Sequence, residues 1–208
     1  MEVRLPDDVA MAYQTNREAI GQRLTEFSEV PKEQWFYEFC FCLCTPQSKA
    51  EHAMITVDQL AEARFYEIGF DPTYVLANKD AYIRFHNVKS RRLLALRDQW
   101  PELMRDMALL HDARELRDLL VQRVNGYGLK EASHVLRNIG FRDLAILDRH
   151  ILRMLAYCRV IDDCQKLSTR TDYLEVERLA IRYATDVGIS LDELDLLFWF
   201  MNTGKILK

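Results

Sequence analysis

Residues 120–134 read LVQRVNGYGLKEASH. Leu116, Leu119, Leu120 and Val124 recur at the spacing of one helix face, and the pattern stops at Asn125. A second helical pattern opens at Leu129, runs to about Ile139 and ends at Gly140. Gly126 and Gly128 lie between the two, and each can supply a positive φ or a close backbone approach. The stretch therefore reads as helix, tight hairpin, helix. Backbone N–H groups at such a point, with a helix dipole behind them, can hold a phosphate without reading its base. Gly-x-Gly by itself favours the plainer reading, a turn between two helices.

The same periodicity extends outward. It predicts helices over 9–27 after an Asp7/Asp8 cap, over 32–44 behind Pro31, and over 47–66. A turn follows at 69–72, then helices over 79–98, 101–110 and 112–124. Beyond the hairpin, helices are expected from near Asp148, over 172–187 and over 190–202. No segment alternates as a strand does, so the fold class is all-α. The expected organisation is two-lobed. Residues 1–50 pack with a C-terminal lobe that 151–208 complete, and 51–150 form the lobe that carries the hairpin.

The chain has 208 residues, 49% of them hydrophobic, with only 7 Gly and 5 Pro, which suits long helices and short connections. No segment approaches the ~18 apolar residues of a membrane span, and residues 1–8 are acidic without an apolar signal core. A soluble intracellular protein is expected. Five cysteines (Cys40, Cys42, Cys44, Cys158 and Cys164) form a poor disulfide framework and read as small buried hydrophobes. No cysteine run suits an iron–sulfur cluster, and no His/Cys grouping has zinc spacing. The net charge of −4 hides an asymmetry: residues 81–153 carry 14 basic against 9 acidic side chains, between two acidic ends. Phosphates feel the local patch, not the average.

Lys130 falls in the first turn of the helix after the hairpin, where the positive dipole end disfavours an ammonium. A lysine there is either a surface residue or one whose amine works uncharged, and an uncharged amine is a nucleophile. Asp148, within AILDRHIL, follows three apolar residues at a helix start. It reads as an N-cap, and a cap holds a carboxylate still for other work.

Residues 126–140 (GYGLKEASHVLRNIG) and 143–153 (DLAILDRHILR), with the ending LDLLFWFMNTGKILK (194–208), resemble type-2 8-oxoguanine DNA glycosylase/AP lyases. These belong to the helix-hairpin-helix DNA glycosylase superfamily. FYEFCFCL (36–43) fits the family's second helix. The resemblance is dense over the last ninety residues and patchy before them. It implies Lys130 as nucleophile at C1′, Asp148 as the carboxylate that stabilises the sugar cation, a Schiff base and β-elimination. It implies no metal or organic cofactor. The implied partner is double-stranded DNA containing an oxidised purine, met by a monomer in the cytoplasm or nucleoid of a prokaryote.

8-Oxoguanine presents N7–H, a donor, where guanine presents an acceptor, so a discriminating pocket wants an acceptor there. The resemblance implies a C-terminal carboxylate in that role, at Lys208. It implies Trp199 as the aromatic that stacks on the flipped base, with Phe85 as the second wall. The helix core is the rival role for both. His134, one turn beyond Lys130, either touches the base or fills a helix interface. Gly126, Gly128, Arg149 and His150 are expected to meet DNA. Where the family runs Leu-Thr-Ala-Asn, this chain has Cys44-Thr45-Pro46-Gln47, and where it runs Ala-Glu-Gly-Gly, Ala50-Glu51-His52-Ala53. Gln47 is thereby a candidate wedge for the vacated stack. Two rivals remain: an oxidised-pyrimidine glycosylase of the same superfamily, and a helix-hairpin-helix module that only grips DNA.

Overall fold

The computed structural model describes residues 4–162 and 167–207. In chain order the helices are α1 (Asp7–Ser28), α2 (Lys32–Cys44), α3 (Ala50–Glu62), α4 (Phe65–Ile68) and α5 (Thr73–Leu76). After a 3-10 turn at Lys79–Ala81 come α6 (His86–Met107), α7 (Ala113–Arg123), α8 (Leu129–Asn138), α9 (Arg149–Tyr157), α10 (Arg170–Val187) and α11 (Leu191–Thr203). No strand occurs among the described residues, so the all-α expectation holds. No described helix is long and apolar enough to cross a membrane.

The chain divides into two units, residues 31–135 and residues 1–30 with 136–208. These bounds differ from the expected 50 and 150. The difference has a packing cause: α2 lies against α3 and α6, so it belongs with them. In the other unit α11 packs against α1, α9 and α10.

The core of unit 31–135 is aromatic. Phe36 meets Trp100 edge-on at 5.3 Å, Phe39 meets Trp100 at 4.9 Å, and Tyr127 stacks on Phe39 at 5.9 Å. Cys40, Cys42 and Cys44 are all fully buried, so α2 is enclosed on every side near its C-terminus. In the other unit Arg137 is buried, bonds Asp195 at 3.2 Å and lies 4.6 Å over the Phe27 ring.

Four local expectations change. Pro6 is the N-cap of α1, and Asp7 and Asp8 lie inside its first turn, where the dipole favours acids. The expected helix 47–66 is shorter, because Gln47 and Arg64 adopt left-handed backbone and cut it at both ends. Left-handed Phe85 likewise delays α6 to His86. Pro101 does not start a helix. It sits inside α6, whose buried stripe Leu93, Leu96, Trp100, Leu103 and Met107 continues through it. Packing there outweighs the one lost backbone bond.

Candidate active site

The hairpin forms where expected, and its two glycines act differently. Gly126 has φ +101°, and a β-carbon there would meet Cδ of Arg92 at 2.7 Å. Gly128 needs no positive φ. Its N–H is already used, donated to Oε2 of Glu131 at 3.1 Å, and Tyr127 N–H goes to the Val124 carbonyl at 3.0 Å. The donors left for an outside anion are those of the first turn of α8, such as Leu129 and Lys130, which have no partner within the helix. Tyr127 fixes the hairpin to α2 by donating its hydroxyl to the Phe39 carbonyl at 2.9 Å.

Lys130 is the second residue of α8. Its side chain is 23% exposed, and Nζ stands 3.8 Å from Oε1 of Glu131. Glu131 thus does two things: one oxygen caps the helix and the other faces the amine. The lysine is neither swallowed by the core nor free to wander.

Asp148 is the N-cap of α9. Its Oδ1 accepts the backbone N–H of His150 at 2.7 Å and of Ile151 at 2.9 Å. The loop leading to it is buried from Leu144 to Leu147, and α10 and α11 satisfy its backbone. Asp192 accepts from Asp143 N–H at 3.1 Å, and Glu177 accepts from Ala145 N–H at 2.9 Å. Tyr173 donates to the Ala145 carbonyl at 2.6 Å and accepts from Leu147 N–H at 3.3 Å. Asp192 is held above the usual carboxylate range by burial, which outweighs its bond to Asp143 N–H and the pull of Arg142 and Arg137. The carboxylate of Asp148 is therefore set on a clamped backbone.

In the same unit the Trp199 ring meets the His150 ring edge-on at 5.1 Å. Trp199 is half-buried, and its indole N–H has no acceptor among the described residues. Arg149 is exposed and reaches His150 Nε2 at 3.2 Å.

Phe85 and Gln47 both lie in the other unit, on exposed left-handed backbone. Phe85 is 53% exposed, so it is no core residue. His134 is only 8% exposed and stands edge-on to Phe41 at 5.7 Å, a packed interior place. Lys208 lies outside the described residues. Among the described residues no group of three or more His, Cys, Asp or Glu could hold a metal ion.

Lys89 was not singled out in the sequence. It is 2% exposed, and its Nζ donates to the carbonyls of Cys44 and Pro46, each at 2.7 Å, and to Ser48 Oγ at 3.3 Å. Burial lowers its pKa to about 8, helped by the charges of Arg92 and Lys130 and opposed by Cys44 and Glu131. With three acceptors and almost no exposure, its amine is held for structure, whereas the Lys130 side chain keeps 23% of its surface exposed.

Residues 20–189 match the family model described as 8-oxoguanine DNA glycosylase. The chain is 33% identical to the 8-oxoguanine DNA glycosylase/AP lyase of Methanocaldococcus jannaschii, over 92% of this chain and 93% of that one. It is 34% identical to the Fusobacterium nucleatum protein of the same name, over 97% of each. The crystal structure of the M. jannaschii 8-oxoguanine glycosylase/lyase with a 15mer DNA containing 8-oxoguanine superposes with a TM-score of 0.83 at 30% identity, covering 96% of this chain and 99% of that one. Sequence and fold agree along nearly the whole length, and this chain belongs to the 8-oxoguanine DNA glycosylase family.

Proposed function

We infer that this chain excises 8-oxoguanine from double-stranded DNA inside the cell, as a monomer, and then cleaves the strand at the abasic sugar. The observation that carries this reading is Lys130, a half-buried lysine in the first helical turn after a glycine hairpin.

The duplex must first release the damaged nucleotide, at a cost of about a few kcal/mol. Gln47, on its exposed left-handed tip, fills the vacated stack. Phe85 and Trp199 offer rings to the extruded base. The first-turn amides of α8, Arg149 and His150 hold phosphates. Lys130 attacks as the free amine: a bond forms from Nζ to C1′, the C1′–N9 bond breaks, and the base leaves with the electron pair. Asp148 stabilises the positive charge that grows on the sugar. Ring opening gives a Schiff base. Loss of a 2′ proton then expels the 3′ phosphate, so the strand is cut on the 3′ side. His134, packed against Phe41, is not needed to touch the base.

Parallel excision assays on 8-oxoguanine, thymine-glycol and uracil duplexes test the reading. Release of 8-oxoguanine at least tenfold faster than the others is expected. Faster release of thymine glycol would favour the oxidised-pyrimidine rival, and binding without release would favour the DNA-gripping module.

A further inference from the structure

Lys89 joins two exposed tips of unit 31–135. Its ammonium takes the carbonyls of Cys44 and Pro46 on one side of Gln47, and Ser48 Oγ on the other. Its backbone N–H makes the ordinary first-turn bond of α6 to the Phe85 carbonyl at 3.0 Å, so the side-chain link to that tip runs through Ser48. Ser48 Oγ also accepts the N–H of Arg84 at 3.0 Å, next to Phe85. Gln47 has φ +58° and Phe85 φ +60°, a backbone region that costs any non-glycine residue and persists only where its surroundings enforce it. Both strained residues present exposed side chains. A buried charge is expensive to keep unless it is fully bonded, and here every bond of Nζ goes to the segment that carries Gln47.

We propose that Lys89 is a positioning residue: with Ser48 it locks the Gln47 and Phe85 tips in one fixed arrangement, so that both side chains engage a damaged duplex together. The proposal rests on the function inferred above. It assigns Lys89 no contact with the reacting sugar. Loss of the clamp lets both tips relax toward ordinary backbone, and opening of the duplex suffers before the chemistry does.

The test compares two single-turnover rates: excision of 8-oxoguanine from a duplex, and strand cleavage at a preformed abasic site in a single-stranded oligonucleotide, which has no stack to open. Lys89→Met keeps most of the volume and removes the donors. The ratio of the first rate to the second is expected to fall by roughly a hundredfold, the scale of a misplacement near one ångström. Ser48→Ala, a milder change, is expected to lower it by about tenfold. 2-Aminopurine beside the lesion is expected to lose its rise in fluorescence on binding either variant. Should Lys89→Met fail to fold, Ser48→Ala decides alone. Both rates falling together, or neither falling, overturns the proposal. Wild-type protein that leaves 8-oxoguanine in the duplex overturns the function itself, a failure seen before any substitution is made.

Discussion

The backbone N–H of His150 donates to Oδ1 of Asp148 at 2.7 Å. The same oxygen takes Ile151 N–H, so one half of the carboxylate caps α9, and the proposed mechanism gives Oδ2 the sugar cation. The two duties separate on substitution. Asp148→Asn keeps an oxygen that caps and removes the charge. Its stability is expected to stay within about 0.5 kcal/mol of wild type, while single-turnover excision slows by roughly 10²–10³-fold. Asp148→Ala is expected to lose the activity and about 1 kcal/mol besides. Thermal unfolding beside excision kinetics checks both, and an active Asn variant removes the electrostatic role.

The two hairpin glycines are expected to respond unequally. Alanine at Gly126 must adopt a positive φ and push Cδ of Arg92 from 2.7 Å, a loss of about 1–2 kcal/mol. Alanine at Gly128 keeps ordinary backbone and meets only Oε2 of Glu131 at 3.4 Å. Its loss is expected below about 1 kcal/mol, the propensity and packing scale. DNA affinity measured against salt should show Gly126→Ala weakened across all sequences, because a distorted hairpin shifts the first-turn α8 amides that hold a phosphate in the proposed mechanism. Equal effects from the two substitutions would contradict the assignment.

Burial of Lys89 has a consequence for stability against pH. Its folded pKa is about 8 against an ordinary 10.5. Between those values the unfolded chain holds a proton that the folded chain does not, so stability rises with pH across that window. The gain is about 3 kcal/mol, and below pH 8 it is absent. Lys89→Met lacks this titration. Denaturant unfolding of both proteins from pH 7.5 to 10.5 is expected to show wild type gaining on the variant by that amount. A constant difference would contradict the buried, protonatable amine.

Periodicity placed α2 at Lys32–Cys44 and the cap of α9 at Asp148, because both depend on neighbours in sequence: Pro31 before one, and an acid ahead of an apolar pattern in the other. The failures share a different cause. Gln47, Arg64 and Phe85 adopt left-handed backbone that nothing local demands, since none is glycine and tertiary bonds decide it. Pro101 read as a boundary because its rule is local, whereas the stripe that keeps α6 whole is a matter of packing. Lys89 looks like any surface charge in a basic run. Its partners lie more than forty residues away. Tyr173 and Glu177, which hold the loop before Asp148, were hidden in the same way. The hairpin glycines and Lys130 were legible because a turn and the helix it opens are written in consecutive residues.

The most direct measurement is borohydride trapping on an 8-oxoguanine duplex, followed by peptide mapping of the adduct. Wild-type protein is expected to give a covalent protein–DNA product attached at Lys130, and Lys130→Gln to give none while still binding the duplex. An adduct undiminished in Lys130→Gln, or mapped to another residue, would contradict the nucleophile on which the mechanism stands.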